Sequence, residues 1–310
     1  MPQIQHRIES VIGLDVAKDT VAIHDRISGR SFTVDNTLEA LSEALFALAD
    51  RSLAVCEATG GHEDMLLCVL ASLNIPTHRG DGGKISAFAR SLRRAKTDRI
   101  DAEMLALYGA ERGESLLRYV PAEDDTAMLG VLVRRRMDLV NARKIERTRA
   151  KAPRAHLIEA SIARAMAFLD AEIGSLDAQI IALIAASPRL MARKAVIETI
   201  PGVGHTTATT LLALMPELGR LTAKTAASLA AVAPHPKDSG QTNLRRKTTG
   251  GRRELRPILF FAAMSAARGQ NRLGDFYRKL LEKGKAKRLA LVATMRKIVV
   301  IANARLAHIN

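Results

Sequence analysis

A chain of 310 residues with 47% apolar content can bury two globular cores and still leave a connector between them. Aromatic residues make up only 3% and tryptophan is absent, which argues against a β-sandwich and for a helix-rich chain. Forty-seven Lys and Arg against 32 Asp and Glu give a net charge of +15, so the expected partner is a polyanion, nucleic acid ahead of an anionic membrane surface. No uncharged run approaches the roughly 18 residues a membrane span needs. The polar residues 1–10 lack a signal-peptide core. Cys56 and Cys68 make neither a zinc pattern nor a disulfide framework, and a cytoplasmic location is expected.

In chain order, Val11 to Lys18 is a nearly continuous apolar run interrupted by Asp15, the pattern of a buried central strand. An acid there must be paired, protonated or metal-bound, because an isolated buried charge is too costly. Thr20–His24 and Ser31–Val34 continue as a β-meander around a Ser28-Gly29 turn. Leu38, Leu41, Leu45 and Leu48 then recur at helical spacing. Leu53 to Gly61 is a second strand ending in an acid, Glu57, and Gly60-Gly61 break it before a helix over His62–Leu73. Ile75–His78 reads as a short strand, Arg79–Gly83 as a loop, and Lys84–Arg94 as a basic helix. Thr97 is a plausible N-cap for the next helix, which ends near Gly113. Asp98 and Asp101, three residues apart on it, share a face and repel each other unless a hard cation lies between them. Taken alone, such a pair is an ordinary acidic first turn. Together with Asp15 and Glu57 it makes four carboxylates from three elements, placed where sites form in α/β sheets.

From Asp124 to about Ser187 the texture becomes two long helical stripes joined at Pro153. Leu129, Leu132, Val133, Met137, Leu139 and Val140 make the first. The second runs from Ile158 through Ile162, Ala165, Phe168, Leu169, Ile173, Leu176 and Ile180 to Leu183. This predicts a helical hairpin or coiled coil, serving as a spacer or, more sharply, a dimerisation arm. Ile197 to Ala208 has the form h-x-x-h-P-G-h-G before an alanine-rich helix, similar to a helix-hairpin-helix element. There Gly202 and Gly204 would let backbone N–H groups approach a phosphate, with His205 alongside. The alternative is a plain helix–turn–helix joint. A short helix over Ala226–Ala233 stops at Pro234-His235-Pro236, and Lys237-Asp238-Ser239-Gly240 is turn-forming. Arg245, Arg246, Lys247, Arg252, Arg253 and Arg256 then oppose Glu254 alone, a density that fits phosphate neutralisation. A serine beside them is a candidate nucleophile, although a turn serine before glycine is ordinarily structural. Phe276 to Asn310 reads as helical and again basic.

Taken in order, Gly13-Leu-Asp15-Val-Ala-Lys18, Glu57-Ala-Thr-Gly60, Lys96-Thr-Asp98-Arg-Ile-Asp101-Ala102, Ile200-Pro-Gly-Val-Gly204, Asp238-Ser239-Gly240 and Thr249-Gly-Gly-Arg-Arg-Glu-Leu-Arg256 resemble the DEDD-type insertion-sequence transposases, bridge-RNA-guided DNA recombinases of bacteria. The resemblance spans about residues 11–305. It implies an α/β plus all-α chain. An RNase H-like (RuvC-like) catalytic domain would cover 1–118, a coiled-coil connector 119–190, and a mainly helical transposase domain with the helix-hairpin-helix-like element 191–310. It further implies that Asp15, Glu57, Asp98 and Asp101 bind Mg2+ and that Ser239 forms a phosphoserine intermediate. The implied partners are donor and target double-stranded DNA, a structured guide RNA and further copies of the chain in a dimer or tetramer, with no membrane. Lys84, Arg90, Arg93 and Arg94, beside the acidic helix, are the expected RNA contacts. The rival classes are a RuvC-like Holliday-junction nuclease with water as nucleophile, an actin-like kinase or ATPase, and a non-catalytic nucleic-acid-binding protein.

Overall fold

The computed structural model describes residues 9–92, 98–235, 238–239, 242–243, 247–248 and 250–309. The chain divides into two compact units, Met1–Pro121 and Ala122–Asn310.

The first unit is built on a five-stranded sheet. Its strands are β1 (Val11–Val16), β2 (Thr20–Asp25), β3 (Arg30–Asp35), β4 (Leu53–Glu57) and β5 (Thr77–Gly80), in the spatial order β3-β2-β1-β4-β5. The meander pairs β1, β2 and β3 antiparallel, while β4 and β5 join parallel. Parallel neighbours need crossovers. These are α1 (Leu38–Phe46) before β4 and α2 (Asp64–Ser72) before β5; α3 (Gly82–Ser91) and α4 (Asp98–Arg112) follow. Strand alternation divides the core. Ile12, Leu14, Ala54 and Cys56 pack on one face with Leu41 and Leu45 of α1 and Leu66 and Leu70 of α2. Val11, Leu53 and Val55 pack on the other with Ile85, Phe88, Met104 and Leu105 of α3 and α4. Two expectations shift here. Arg79 and Gly80 belong to β5, paired with Cys56 and Glu57, and the helix after them opens at Gly82, so the expected loop over Arg79–Gly83 shrinks to Asp81. Asp81 is that helix's N-cap, its carboxylate accepting from the Lys84 amide at 3.1 Å. The expected cap Thr97 lies outside the described residues.

The second unit begins with α5 (Asp124–Arg149) and α6 (Glu159–Ala186). They run antiparallel, as the ion pairs Arg136–Asp177 and Arg143–Asp170 show: seven residues up one helix match seven down the other. Leu139, Leu169, Ile173 and Leu176 form the seam. Phe168 and Ile158, expected within the apolar stripe, are exposed, because a two-helix seam buries a narrower face than a 3.6-residue periodicity selects. The root of the hairpin, Leu129, Val133, Ile180 and Ile184, shares one core with the following helices. These are α7 (Pro188–Glu198), α8 (His205–Leu214), α9 (Ala223–Leu229), α10 (Leu255–Arg268), α11 (Arg272–Glu282) and α12 (Lys287–Leu306). Between α9 and α10 lie two small antiparallel ladders. In the first, β6 (Pro234–His235) pairs β9 (Lys247–Thr248); in the second, β7 (Asp238–Ser239) pairs β8 (Thr242–Asn243). Among the described residues no helix is long and apolar enough to cross a membrane.

Candidate active site and nucleic-acid contacts

Three elements of the first unit converge on one end of its sheet. Leu14 of β1 pairs Cys56 of β4, so Asp15 and Glu57 come one step later on adjacent parallel strands, where neighbouring backbones lie about 4.8 Å apart. By alternation both acids share the face that carries α3 and α4. α4 crosses this face against the strand direction. Gly109 abuts Val11 and Val55, while Gly13 meets Ala102 and Ala106, where an added Cβ would stand 2.0 Å from the Ala102 carbonyl oxygen. From Gly13 to Asp15 the strand advances about 6.6 Å. From Ala102 back to Asp98 the helix advances about 6 Å. The first turn of α4, with Asp98 and Asp101, therefore opens at the end of β1 that carries Asp15. The side chain of Asp98 lies outside the described part. Among the described residues no group of three or more His, Cys, Asp and Glu stands close enough to hold a metal ion.

Glu57 is half-buried at the end of β4, and its carboxylate rests on the first residue of α3: a Cβ on Gly82 would lie 1.9 Å from Glu57 Oε1. A helix N-terminus favours negative charge there. The acids are all-oxygen donors, the set a hard divalent cation such as Mg2+ takes.

Two residues not singled out in the sequence, Asn36 and Glu63, brace this end of the sheet. Asn36, just past β3, donates its side-chain amide to the carbonyls of Ala17 (3.2 Å) and Lys18 (3.4 Å), after Asp15, and of His62 (2.9 Å), after Glu57. Glu63 is wholly buried. Its Oε2 accepts from the amides of Thr59 (3.1 Å) and Gly61 (2.9 Å) and from the Thr59 hydroxyl (2.6 Å), and its Oε1 accepts from Arg79 Nε (2.8 Å). Burial pushes the Glu63 carboxyl up, but these hydrogen bonds together outweigh it and bring the group down to about 2. The turn it holds contains Gly60 at φ +86° and Gly61 at φ +119°. That turn was the available signal: adjacent glycines with left-handed backbone need an acceptor for their N–H groups, and a glutamate follows two residues later.

In the second unit the helix-hairpin-helix-like residues separate. Gly202, at φ +82°, is pressed on α10, where a Cβ would stand 2.3 Å from the Ala262 carbonyl oxygen; it serves the packing of the turn. Gly204 N-caps α8 with open space around it, and His205 is exposed at the first residue of that helix. The cationic patch also separates. Arg252 forms a bidentate pair with Glu217 (2.8 and 2.6 Å) and donates to the Leu214 carbonyl. Arg256 donates to the carbonyls of Ala231 (2.8 Å) and Thr248. Burial and then the neighbouring Arg253 charge lower the Arg256 pKa, and Arg253 itself is exposed. Lys84 is exposed on α3 and lines a groove of about 510 Å³ with Phe88, Tyr108 and Arg112. Ser239 pairs Thr242 through its backbone strand; the side chains of Ser239 and Lys247 lie outside the described part. Arg93, Arg94, Arg245 and Arg246 lie outside the described residues altogether.

Residues 12–157 match a transposase family of the DEDD type, and residues 194–278 match the transposase family described as IS116/IS110/IS902. The chain belongs to these insertion-sequence transposases, enzymes of DNA recombination whose DEDD domain is RNase H-like. Among its relatives are the pilin gene-inverting proteins of Moraxella lacunata and Moraxella bovis, each 30% identical, with the similarity covering 96% of this chain and 95% of the relative.

Proposed function

We propose that this transposase cuts and rejoins DNA in a magnesium-dependent reaction through Ser239, with target choice supplied by a guide RNA. The observation that carries the reading is the meeting of Asp15, Glu57 and the start of α4 at one end of an RNase H-like sheet. Asp15, Glu57, Asp98 and Asp101 would hold the metal, which when bound neutralises charge building on the phosphodiester. Ser239 Oγ gives up its proton and bonds to phosphorus. The bond from phosphorus to the 3′-oxygen breaks, and that oxygen leaves as a 3′-hydroxyl. The 3′-hydroxyl of the second duplex then attacks the phosphoserine and restores the serine. One phosphodiester is exchanged for another, so no ATP is consumed. The likeness to gene-inverting proteins supports DNA inversion as one outcome. The +15 charge supports a large nucleic-acid partner. The exposed Arg253, Gly204 and His205 are the better phosphate contacts, since Gly202, Arg252 and Arg256 are engaged within the fold. Family resemblance supports an oligomer with composite sites.

The test is incubation of the protein, and of any RNA that copurifies with it, with DNA carrying the ends of its own element. Wild type should leave a denaturant-resistant protein–DNA adduct in Mg2+, and Ser239→Ala should leave neither adduct nor cut. Asp15→Asn should bind DNA but not cut it. Cutting retained by Ser239→Ala would assign the attack to water and make the protein a junction nuclease. Absence of any discrete copurifying RNA, with cutting intact, would remove the guide.

A further inference from the structure

We infer that the groove between α10 and α12 holds an unstacked DNA base beside the Ser239-bearing segment. The groove measures about 590 Å³, within the range of small-ligand clefts. Its floor is apolar, from Leu291, Val292 and Met295 of α12. On α10, Leu259, Ala262 and Ala263 turn into the core, whereas Phe261 is 69% exposed and lines the groove beside Phe260. The two rings meet edge to face at 6.3 Å. A phenylalanine this exposed presents apolar ring surface to solvent at the mouth of an apolar hollow.

The charge around the hollow selects that partner. Arg256 and Arg288 both line it. Arg256 is tied to the Ala231 and Thr248 carbonyls, so it adds positive charge to the rim and leaves the phosphate contact to Arg288. Arg288 lies in the first turn of α12, beside the exposed Lys287 that opens the helix and the exposed Lys283 and Lys285 that precede it. An aromatic face with cations along one edge is the arrangement that grips single-stranded nucleic acid, the ring stacking on a base and the cations tracking its phosphates. Location adds the rest. Thr248 of β9 also lines the groove, and β9 with its partner β6 closes the segment that carries Ser239. Strand cleavage and exchange leave nucleotides next to the cut without their neighbours, and one such base would be stored here. The inference rests on the proposed strand exchange for its purpose, but its test reads binding alone.

The test uses full-length Ser239→Ala protein, so that no cutting intervenes, and two fluorescein-labelled 30-mer duplexes, one fully paired and one with a two-nucleotide mismatched bubble containing 2-aminopurine. Phe261→Ala should weaken binding to the bubble about tenfold and leave the paired duplex within about twofold. Phe261→Trp should restore the bubble preference and quench the 2-aminopurine. Equal loss on both duplexes, or no loss on either, would overturn the base-holding role. So would dissociation of the protein oligomer by Phe261→Ala in analytical ultracentrifugation, which would make this face a contact between protein chains. Failure of the serine chemistry itself would show separately, as cutting by the Ser239→Ala protein.

Discussion

Glu57 and Gly82 are in direct apposition: the carboxylate of Glu57 occupies the space where any side chain on Gly82 would begin. Gly82→Ala should therefore move the carboxylate without touching an acid. The obstructed atom is the end of a flexible side chain, and alanine favours a helix over glycine by up to about 1 kcal/mol, so the melting temperature should hold or rise. DNA cutting should fall at least about tenfold, a displacement effect of the kind a 1 Å misplacement produces. Cutting at the wild-type rate in a well-folded Gly82→Ala protein would show that the position of Glu57 is unimportant.

Acid should loosen the same end of the sheet. The Glu63 carboxyl is held at about 2, below its ordinary 4.5, so its contribution is complete above about pH 4.5 and is lost as the pH falls towards 2. Asp25 on β2 is held down in the same direction, first by its hydrogen bonds from Arg51. Glu63→Gln should cost on the order of 3 kcal/mol at pH 7, because it leaves Arg79 without its carboxylate, and should flatten the pH dependence between about 4.5 and 2. Denaturant melts across that range measure both, and an unchanged acid limb would sink the assignment.

The two cysteines should behave oppositely. Burial pushes the Cys56 thiol up to about 12, and the residue is fully inaccessible between β1 and β5. Cys68 is exposed on α2. Ellman's reagent should thus titrate one thiol per native chain and two in guanidinium. Rapid labelling of both in the native protein would contradict the placement of β4 in the interior of the sheet, between β1 and β5.

The two glycines of the Ile200–Gly204 turn should separate packing from binding. Gly202→Ala would strain a left-handed backbone and drive a methyl into α10, so a loss of more than about 3 kcal/mol is expected. Gly204 has open space and an ordinary φ of −96°, so Gly204→Ala should keep the fold. If a phosphate approaches the α8 N-terminus closely, Gly204→Ala will weaken duplex binding severalfold. Unchanged affinity would remove this turn from the DNA interface.

Local patterns made the sheet and the acid-bearing ends readable, because alternation places Asp15 and Glu57 opposite the core-facing Leu14 and Cys56. What stayed hidden depends on distant partners. The sequence reads Arg79 as loop, whereas it lies in β5, because the carboxylate that satisfies it, Glu63, comes from another element. Counting cations in the Arg245–Arg256 stretch could not tell the exposed Arg253 from Arg252, whose partner Glu217 lies 35 positions away. The hairpin register follows from Arg136–Asp177 and Arg143–Asp170, pairings across 41 and 27 positions that a single-helix periodicity does not contain.

That register gives the α5–α6 hairpin the character of an adjustable ruler. Its root is anchored in the helical core by Leu129, Val133, Ile180 and Ile184, while its outer length is held only by a thin seam and matched surface pairs. Removing or adding seven residues in both helices at once, two turns or about 10 Å, preserves the phase of every seam residue below the change. The reach of the arm can therefore vary among related proteins without redesign of either compact unit.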